Sequence, residues 1–394
     1  MSLHHETCKI VSWSGLKKVI LLGFVSVLLS TSMFGTIGTR FITTVSALTT
    51  HHVYPGQSIQ DAINSAQSGD TIFVHNGTYY ERFRITKPLL LIGENPATTI
   101  IDGRGEGNVI SIGANDVVIQ NFTIRNNGPN YSDAGISIDN PGYVYYGNAL
   151  IIGNVVTKNG GWGIKFYYTS NNTVLENNIT NNTNGIILYS SSNNTISRNN
   201  ITNNQQGGVQ FSESRDNNVS ENDIEKNGDF GVGFFTISSV NTIYRNNVEN
   251  NKYGIYIKQA SRNKIYHNNF INNINQAHIE PTQFVEYVSA NTWDNGHSSG
   301  GNYWSNYVGV DSDHDGIGDT PYFIDENNQD NYPLMSPWGL EEAPQKEIPL
   351  PLWMQSWFWA MVAVVTVVLA GAVHFLKKRK PPTPTAPTLP TEGA

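Results

Sequence analysis

Cysteine is almost missing from this 394-residue chain, whose one thiol is Cys8. No internal disulfide framework can form, and thiolate metal sites and cysteine nucleophiles are closed to the rest of the chain. Methionine is as scarce between residues 48 and 352, where Met335 stands alone. Charged residues are only 14% of the composition. Residues 48–352 hold 16 Lys and Arg against 30 Asp and Glu, a net charge near −14. Nucleic acid needs a basic surface, so it is excluded as a partner. Cations and neutral glycans remain compatible.

Long apolar runs are confined to the two ends. The first, Val19 to Leu29, follows Lys17 and Lys18 and leads to the small residues Val45-Ser46-Ala47. It is short for a membrane span and reads as a secretory signal over residues 1–47, with an uncleaved signal anchor as the alternative. The second runs over residues 353–376, opens with Trp353, Trp357 and Trp359, and ends at Lys377-Lys378-Arg379-Lys380. At ~1.5 Å per residue it spans a bilayer, and its basic flank belongs on the cytoplasmic side. The spacing therefore predicts a single-pass cell-membrane protein with residues 48–352 outside. Residues 339–352 form an acidic, Pro-rich linker, and residues 377–394 a Pro/Thr-rich cytoplasmic tail.

What fills the middle is repetition. Gly163-Ile-Lys-Phe, Gly185-Ile-Ile-Leu, Gly208-Val-Gln-Phe, Gly231-Val-Gly-Phe and Gly254-Ile-Tyr-Ile recur at steps of 22, 23, 23 and 23 residues. A longer unit starts at Gly135. Each unit carries three short pieces of alternating apolar residues parted by Gly or Asn turns. Asn, Gly and β-branched residues are poor helix formers, which argues against helical repeats. The pattern predicts an all-β, right-handed parallel β-helix of nine or ten turns, each turn pairing with the next at ~4.8 Å. Ile179, Ile201 and Val248 point inward. Asn178, Asn200, Asn247 and Asn269, with Asp223 breaking the series, form an inward column of stacked amides, as in cross-β assemblies. Asn178 and Asn200 lie in N-x-Ser/Thr sequons, as do Asn76 and Asn121; inward positions would escape glycosylation.

The boundaries follow. Residues 48–112 are an N-terminal cap and first turns, with a short helix N-capped by Ser58 and carrying Asp61 at N3. Residues 113–290 are the repeats, and residues 291–338 a C-terminal cap plugged by Trp293, Tyr303, Trp304 and Tyr307.

Asp311, Asp313, Asp315 and Asp319 stand at positions 1, 3, 5 and 9 of a calcium loop, with Gly316 at position 6 and the Ile317 carbonyl at position 7. Position 12 is Tyr322, so the bidentate ligand is missing or comes from Asp325 or Asp330. This predicts a weak, structural Ca²⁺ site.

Gln57-Ser-Ile-Gln-Asp-Ala-Ile, Gly69-Asp-Thr-Ile-Phe-Val, Gly77-Thr-Tyr and the Asn-Asn-x-Ile turns resemble the pectin-lyase-like β-helix superfamily. The closer resemblance is to the NosD-like group, periplasmic proteins linked to copper handling in nitrous-oxide-reductase maturation. Archaeal surface proteins share the repeat. Gly301-Asn-Tyr-Trp-Ser-Asn-Tyr, Asp311-Ser-Asp-His-Asp-Gly-Ile-Gly-Asp-Thr-Pro-Tyr and Tyr332-Pro-Leu resemble the same group, so the likeness covers about Gln57 to Pro337.

Three functions compete. Copper is implied by the resemblance alone; the histidines are His51, His52, His75, His267, His278, His297 and His314, of which only the first two adjoin. A polysaccharide lyase or hydrolase needs clustered carboxylates. Asp133 and Asp229 lie four turns or ~19 Å apart, beyond the ~5–9.5 Å of a hydrolytic pair, and Lys165, Arg198, Arg245 and His267 form no recognisable set. The preferred reading is a binding or structural role toward cell-surface glycan or envelope proteins. Its surface candidates are Tyr145, Tyr146, Tyr167, Tyr168 and Tyr189, which follow the Gly-x-x-x strands.

Overall fold

Strands mostly of three to six residues, with every second side chain apolar, cannot bury a face alone. Coiling the chain solves this, because each turn then hydrogen-bonds to its neighbours and all inward side chains share one core. The computed structural model describes residues 48–139, 146–281 and 289–339. The signal at 1–47, the linker beyond Gly339, the span at 353–376, the tail at 377–394 and Tyr145 lie outside the described residues. Among the described residues no helix is long and apolar enough to cross a membrane.

From Thr50 onward the chain visits three parallel sheets in rotation, of ten, ten and nine strands in the order it first enters them. Every connection within a sheet is a parallel crossover, the geometry for which right-handed winding is the rule. The repeat glycines pair through the third sheet: Trp162 faces Asn184, Ile186 faces Val209 and Val209 faces Val232. A side chain could not replace them. A Cβ on Gly185 would lie 2.2 Å from the Gly208 carbonyl oxygen, and one on Gly254 2.4 Å from that of Gln276.

Ile179, Ile201, Ile224 and Val248 form one inward column, each fully buried. The helix is Ile59–Ser65; the Ser58 hydroxyl accepts from the Asp61 amide, and Ile59 and Ile63 cover the end of the core. Glu81, one turn on, accepts from the Ile59 and Gln60 amides at 2.8 and 3.0 Å, as suits the positive end of a helix. A strand not read from the sequence, Thr50–Val53, precedes the helix and pairs with Thr71–Val74. At the other end Trp293 and Trp304 are buried, and Trp304 stacks between Phe270 (4.5 Å) and Tyr322 (4.3 Å). Trp293, Trp304 and Phe270 plug the coil, while Tyr303, Tyr307 and Tyr322 stay half-buried around them.

The asparagine column needs correction. Asn178, Asn200, Asp223, Asn247 and Asn269 are register partners in the second sheet, but Asn178, Asn200, Asp223 and Asn247 face outward. The buried ladder is one residue earlier: Asn154, Asn177, Asn199, Asn222, Asn246, Asn268 and Asn302, each at most 2% exposed. From Asn154 to Asn268, each Nδ2 donates to the Oδ1 of the next turn's Asn at 2.9–3.1 Å. Parallel ladders run from Asn159 to Asn273 and from Asn172 to Asn291 at the other two corners. Within the regular turns the residue before a ladder Asn takes the left-handed corner, whether Asn181, Glu176, Arg198 or His267. Tight corners leave backbone groups that the strands cannot pair, and the buried amides satisfy them. Burial thus gives no protection to the sequons at Asn178 and Asn200.

Candidate functional site

The outward face of the third sheet carries the chemistry. Register stacks Arg84, Ser111, Ser137, Lys165, Ile187 and Gln210 in one central column. Asp139, Tyr167 and Tyr189 form the column beside it. Trp162, buried at the start of its strand, packs edge-on against Tyr131 (5.3 Å, 77°). Tyr167 stacks on Tyr189 (5.2 Å, 21°), with Tyr168 edge-on to Tyr167.

Between these rings lies a cleft of about 500 Å³, lined by Arg84, Tyr131, Ser132, Asp139, Trp162, Lys165, Tyr167, Ile187 and Tyr189. Arg84 pairs with Asp139 at 3.1 Å, and the Lys165 ammonium donates to the Ser132 carbonyl. Burial pulls Lys165 below the ordinary lysine range, and Asp139 and Asp133 oppose the shift. Burial raises the Tyr131 hydroxyl. Tyr189 is raised by burial and by Glu213, which accepts its hydroxyl at 3.2 Å. A concave site with aromatic walls, few polar groups and a perturbed lysine fits a small polar ligand or glycan segment. A larger hollow of about 670 Å³ adjoins it at Arg84. Its charges are engaged locally: Arg82 with Glu106, Arg125 with Asp102, and Glu81 with the helix.

Tyr167, Tyr168 and Tyr189 thus come together as read from the sequence. Tyr131, Trp162 and Arg84 were missed. Lys165, which looked isolated, lies in the cleft. Arg198 pairs with Glu176 and Arg245 approaches Glu221, in one corner column that ends at His267. His267 stacks on Trp338 at 3.5 Å.

The acidic loop is compact. Asp311, Asp313 and Asp315 bring carboxylate oxygens within 4.8 Å of one another. Asp311 accepts from the Asp315 and Gly316 amides, and Gly316 takes φ +88°. Slight burial would raise the Asp311 carboxyl, but the backbone donors of Gly316, His314 and Asp315 win and hold it low. Asp319 turns back to accept from the Ser312 amide at 3.0 Å, and the Gly318 and Asp319 amides are tied to Pro333 and Val310. Asp325 and Asp330 do not fold onto the loop. Asp325 accepts from Asn327 and Asn328. Asp330 is fully buried and ends the longest amide ladder, accepting from the Asn302 amide (2.7 Å) and Trp304 Nε1 (2.9 Å). Burial pushes its carboxyl up to about 6, against those donors.

Adjacent in sequence, His51 and His52 part in space. His51 bonds to Asp70 at 2.9 Å, while His52 lies 3.1 Å from His75. Two imidazoles suit a borderline cation such as copper(II).

The model of a family described as "Periplasmic copper-binding protein (NosD)" matches residues 63–309. No curated protein matches the chain. Among solved structures, an alginate lyase from Paenibacillus sp. str. FPU-7 is similar at 14% identity and TM-score 0.43, over 62% of this chain and 98% of that one. Pectate lyase Pel9A is similar at 12% identity and TM-score 0.46, over 64% and 82%. The A-module of the Azotobacter vinelandii mannuronan C-5 epimerase AlgE4 is similar at 16% identity and TM-score 0.41, over 62% and 84%.

Proposed function

We propose that this chain, which belongs to the NosD family of periplasmic copper-binding proteins, acts by binding cell-envelope glycan in the cleft of the third sheet. The observation that carries this is the set of Tyr131, Tyr167 and Tyr189 around a floor of Arg84, Asp139 and Lys165. Aromatic faces cover the apolar faces of sugar rings, and the charged groups bond their hydroxyls. Binding is favoured over hydrolysis because Asp139 is the one carboxylate among the lining residues, where hydrolysis needs two. A C-terminal span at residues 353–376 would hold the coil outside the membrane.

The full chain is expected to retain envelope polysaccharides on a glycan array. Tyr167→Ala and Tyr189→Ala should each weaken binding about tenfold. Retention unaffected by both substitutions would remove the cleft from the reading. Capture of an envelope protein without glycan would replace the ligand, and new reducing ends or unsaturated products would replace binding with catalysis.

Asp311, Asp313, Asp315, Asp319 and the Ile317 carbonyl would hold Ca²⁺ and staple the C-terminal cap. Tyr322 at position 12 offers no carboxylate, so affinity should fall in the range of about 10⁻⁴–10⁻³ M. Calorimetric titration is expected to show one such site, lost in Asp313→Asn. No heat at millimolar calcium would end this assignment.

A further inference from the structure

The C-terminal arm returns to the outside of the coil at one corner and is held there by Trp338. Leu334 and Met335 still bond as part of the cap, their amides donating to the Asn302 and Gly316 carbonyls at 2.9 and 3.0 Å. Trp338 then lies over His267, in the corner between Lys264–Tyr266 of the first sheet and Asn269–Ile271 of the second. Its indole stacks on the imidazole at 3.5 Å and 6°. The Arg245 guanidinium lies over the same indole, 5.5 Å from its centroid. Asn269 grips the Trp338 backbone twice: Oδ1 accepts from its amide at 2.7 Å, and Nδ2 donates to its carbonyl at 3.1 Å.

The imidazole beneath the indole is set for one protonation state. His267 Nε2 stands 2.7 Å from the Ser299 carbonyl, which can only accept, so this nitrogen carries the proton. Nδ1 is then a bare lone pair, buried and without a hydrogen-bond partner among the described residues. A proton on Nδ1 would be a buried donor with nothing to receive it. The ring is also faced by Arg245 and Lys264, and Tyr266 meets it edge-on at 4.8 Å. Burial therefore pulls His267 below its ordinary 6.5; the Ser299 carbonyl opposes this, and Arg245 and Lys264 add to it. An indole face does attract a cation. Arg245 is already there, however, and repels a second positive charge beside it.

We propose that Trp338 is a releasable clasp: it fastens the arm to this corner while His267 is neutral and lifts when His267 takes up a proton. Lifting the indole opens the imidazole to water, where the new Nδ1–H finds an acceptor. The contact is at full strength above pH 6.5 and weakens as pH falls below it. The clasp also fixes where the arm departs. Each turn has three sides, and this corner is the one away from the third sheet. With Trp338 fastened, the arm leaves on the side opposite the glycan cleft. Clasp, cleft and calcium loop use different residues, so each assignment can fail alone.

The test is fluorine NMR of the full chain labelled with fluorotryptophan, the Trp338 resonance being assigned from Trp338→Phe. From about pH 8 to about pH 5 that resonance is expected to move, with one midpoint below 6.5. The ratio of released to fastened chains should rise by at most about tenfold per pH unit, the slope of a single proton. His267→Gln, whose amide can still donate to Ser299, should hold the fastened resonance throughout. Asn269→Ala removes both backbone bonds and should give the released resonance at both ends of the range. Asp330→Asn should leave the midpoint in place, which separates the clasp from the carboxyl that titrates at about 6. The proposal is overturned by a Trp338 resonance that stays fixed over the range, by one that moves equally in His267→Gln, or by a move that coincides with loss of the coil's circular dichroism.

Discussion

Replacing Asn222 with alanine is expected to cost the β-helix about 3–5 kcal/mol, several times what Asn200→Ala costs. The two residues lie near each other in sequence and carry the same side chain, but Asn222 is 1% exposed and Asn200 is open to solvent. The Asn222 Oδ1 accepts from both the Asn199 amide (2.8 Å) and Asn199 Nδ2 (2.9 Å). Its Nδ2 reaches the Ile196 carbonyl in the turn above and Asn246 Oδ1 in the turn below. Alanine would orphan all of these in a site that water cannot enter, and each orphaned group costs about 1–3 kcal/mol. Asn200 loses a single exposed bond to Asn178. Urea unfolding of the two variants and the parent checks this. Equal midpoints for both variants would mean that the buried ladder does not hold the corners.

The second large effect is on pH. Asp330 is buried at the end of that ladder, and burial raises its carboxyl to about 6 from an ordinary 3.8. The folded state therefore holds the proton more tightly than the unfolded chain does. The stabilisation is complete below pH 4 and is lost as pH rises through 6. A shift of about two units corresponds to at most about 3 kcal/mol. Unfolding midpoints between pH 4 and 7 should fall with pH more steeply in the parent than in Asp330→Asn. Subtracting the two removes the contribution of groups shifted downward, such as Asp102. A parent whose stability climbs over this window relative to Asp330→Asn would show Asp330 ionised in the fold, its donors outweighing its burial. Gly301 belongs to the same constraint, since a Cβ there would lie 1.8 Å from the Asp330 carboxyl.

How far the site could be read in advance depends on how local its parts are. Tyr167 and Tyr189 were readable because both follow a repeat glycine and lie 22 residues apart, one turn. Tyr131 lies four residues before Gly135 and Trp162 at the end of the step from Gly135 to Gly163, where the period stretches to 28 residues and position no longer predicts register. The Asn-Asn doublets mark corners, yet the letters do not say which amide turns inward. The residue after the φ > 0 corner turns into the core, which is the first Asn of Asn177-Asn178 and Asn199-Asn200 but the second of Asn171-Asn172 and Asn193-Asn194.

The sequence alone determined the three-strand turn, its length, the inward isoleucine column, the cap helix and the aromatic plug. These rest on side-chain alternation and a fixed period, which any coil of this kind must obey. Tertiary structure decided which amides stack, that Asp330 ends a ladder and not a metal loop, and which rings share a cleft. Those outcomes depend on register between turns and on burial, and both are properties of neighbours more than twenty residues away.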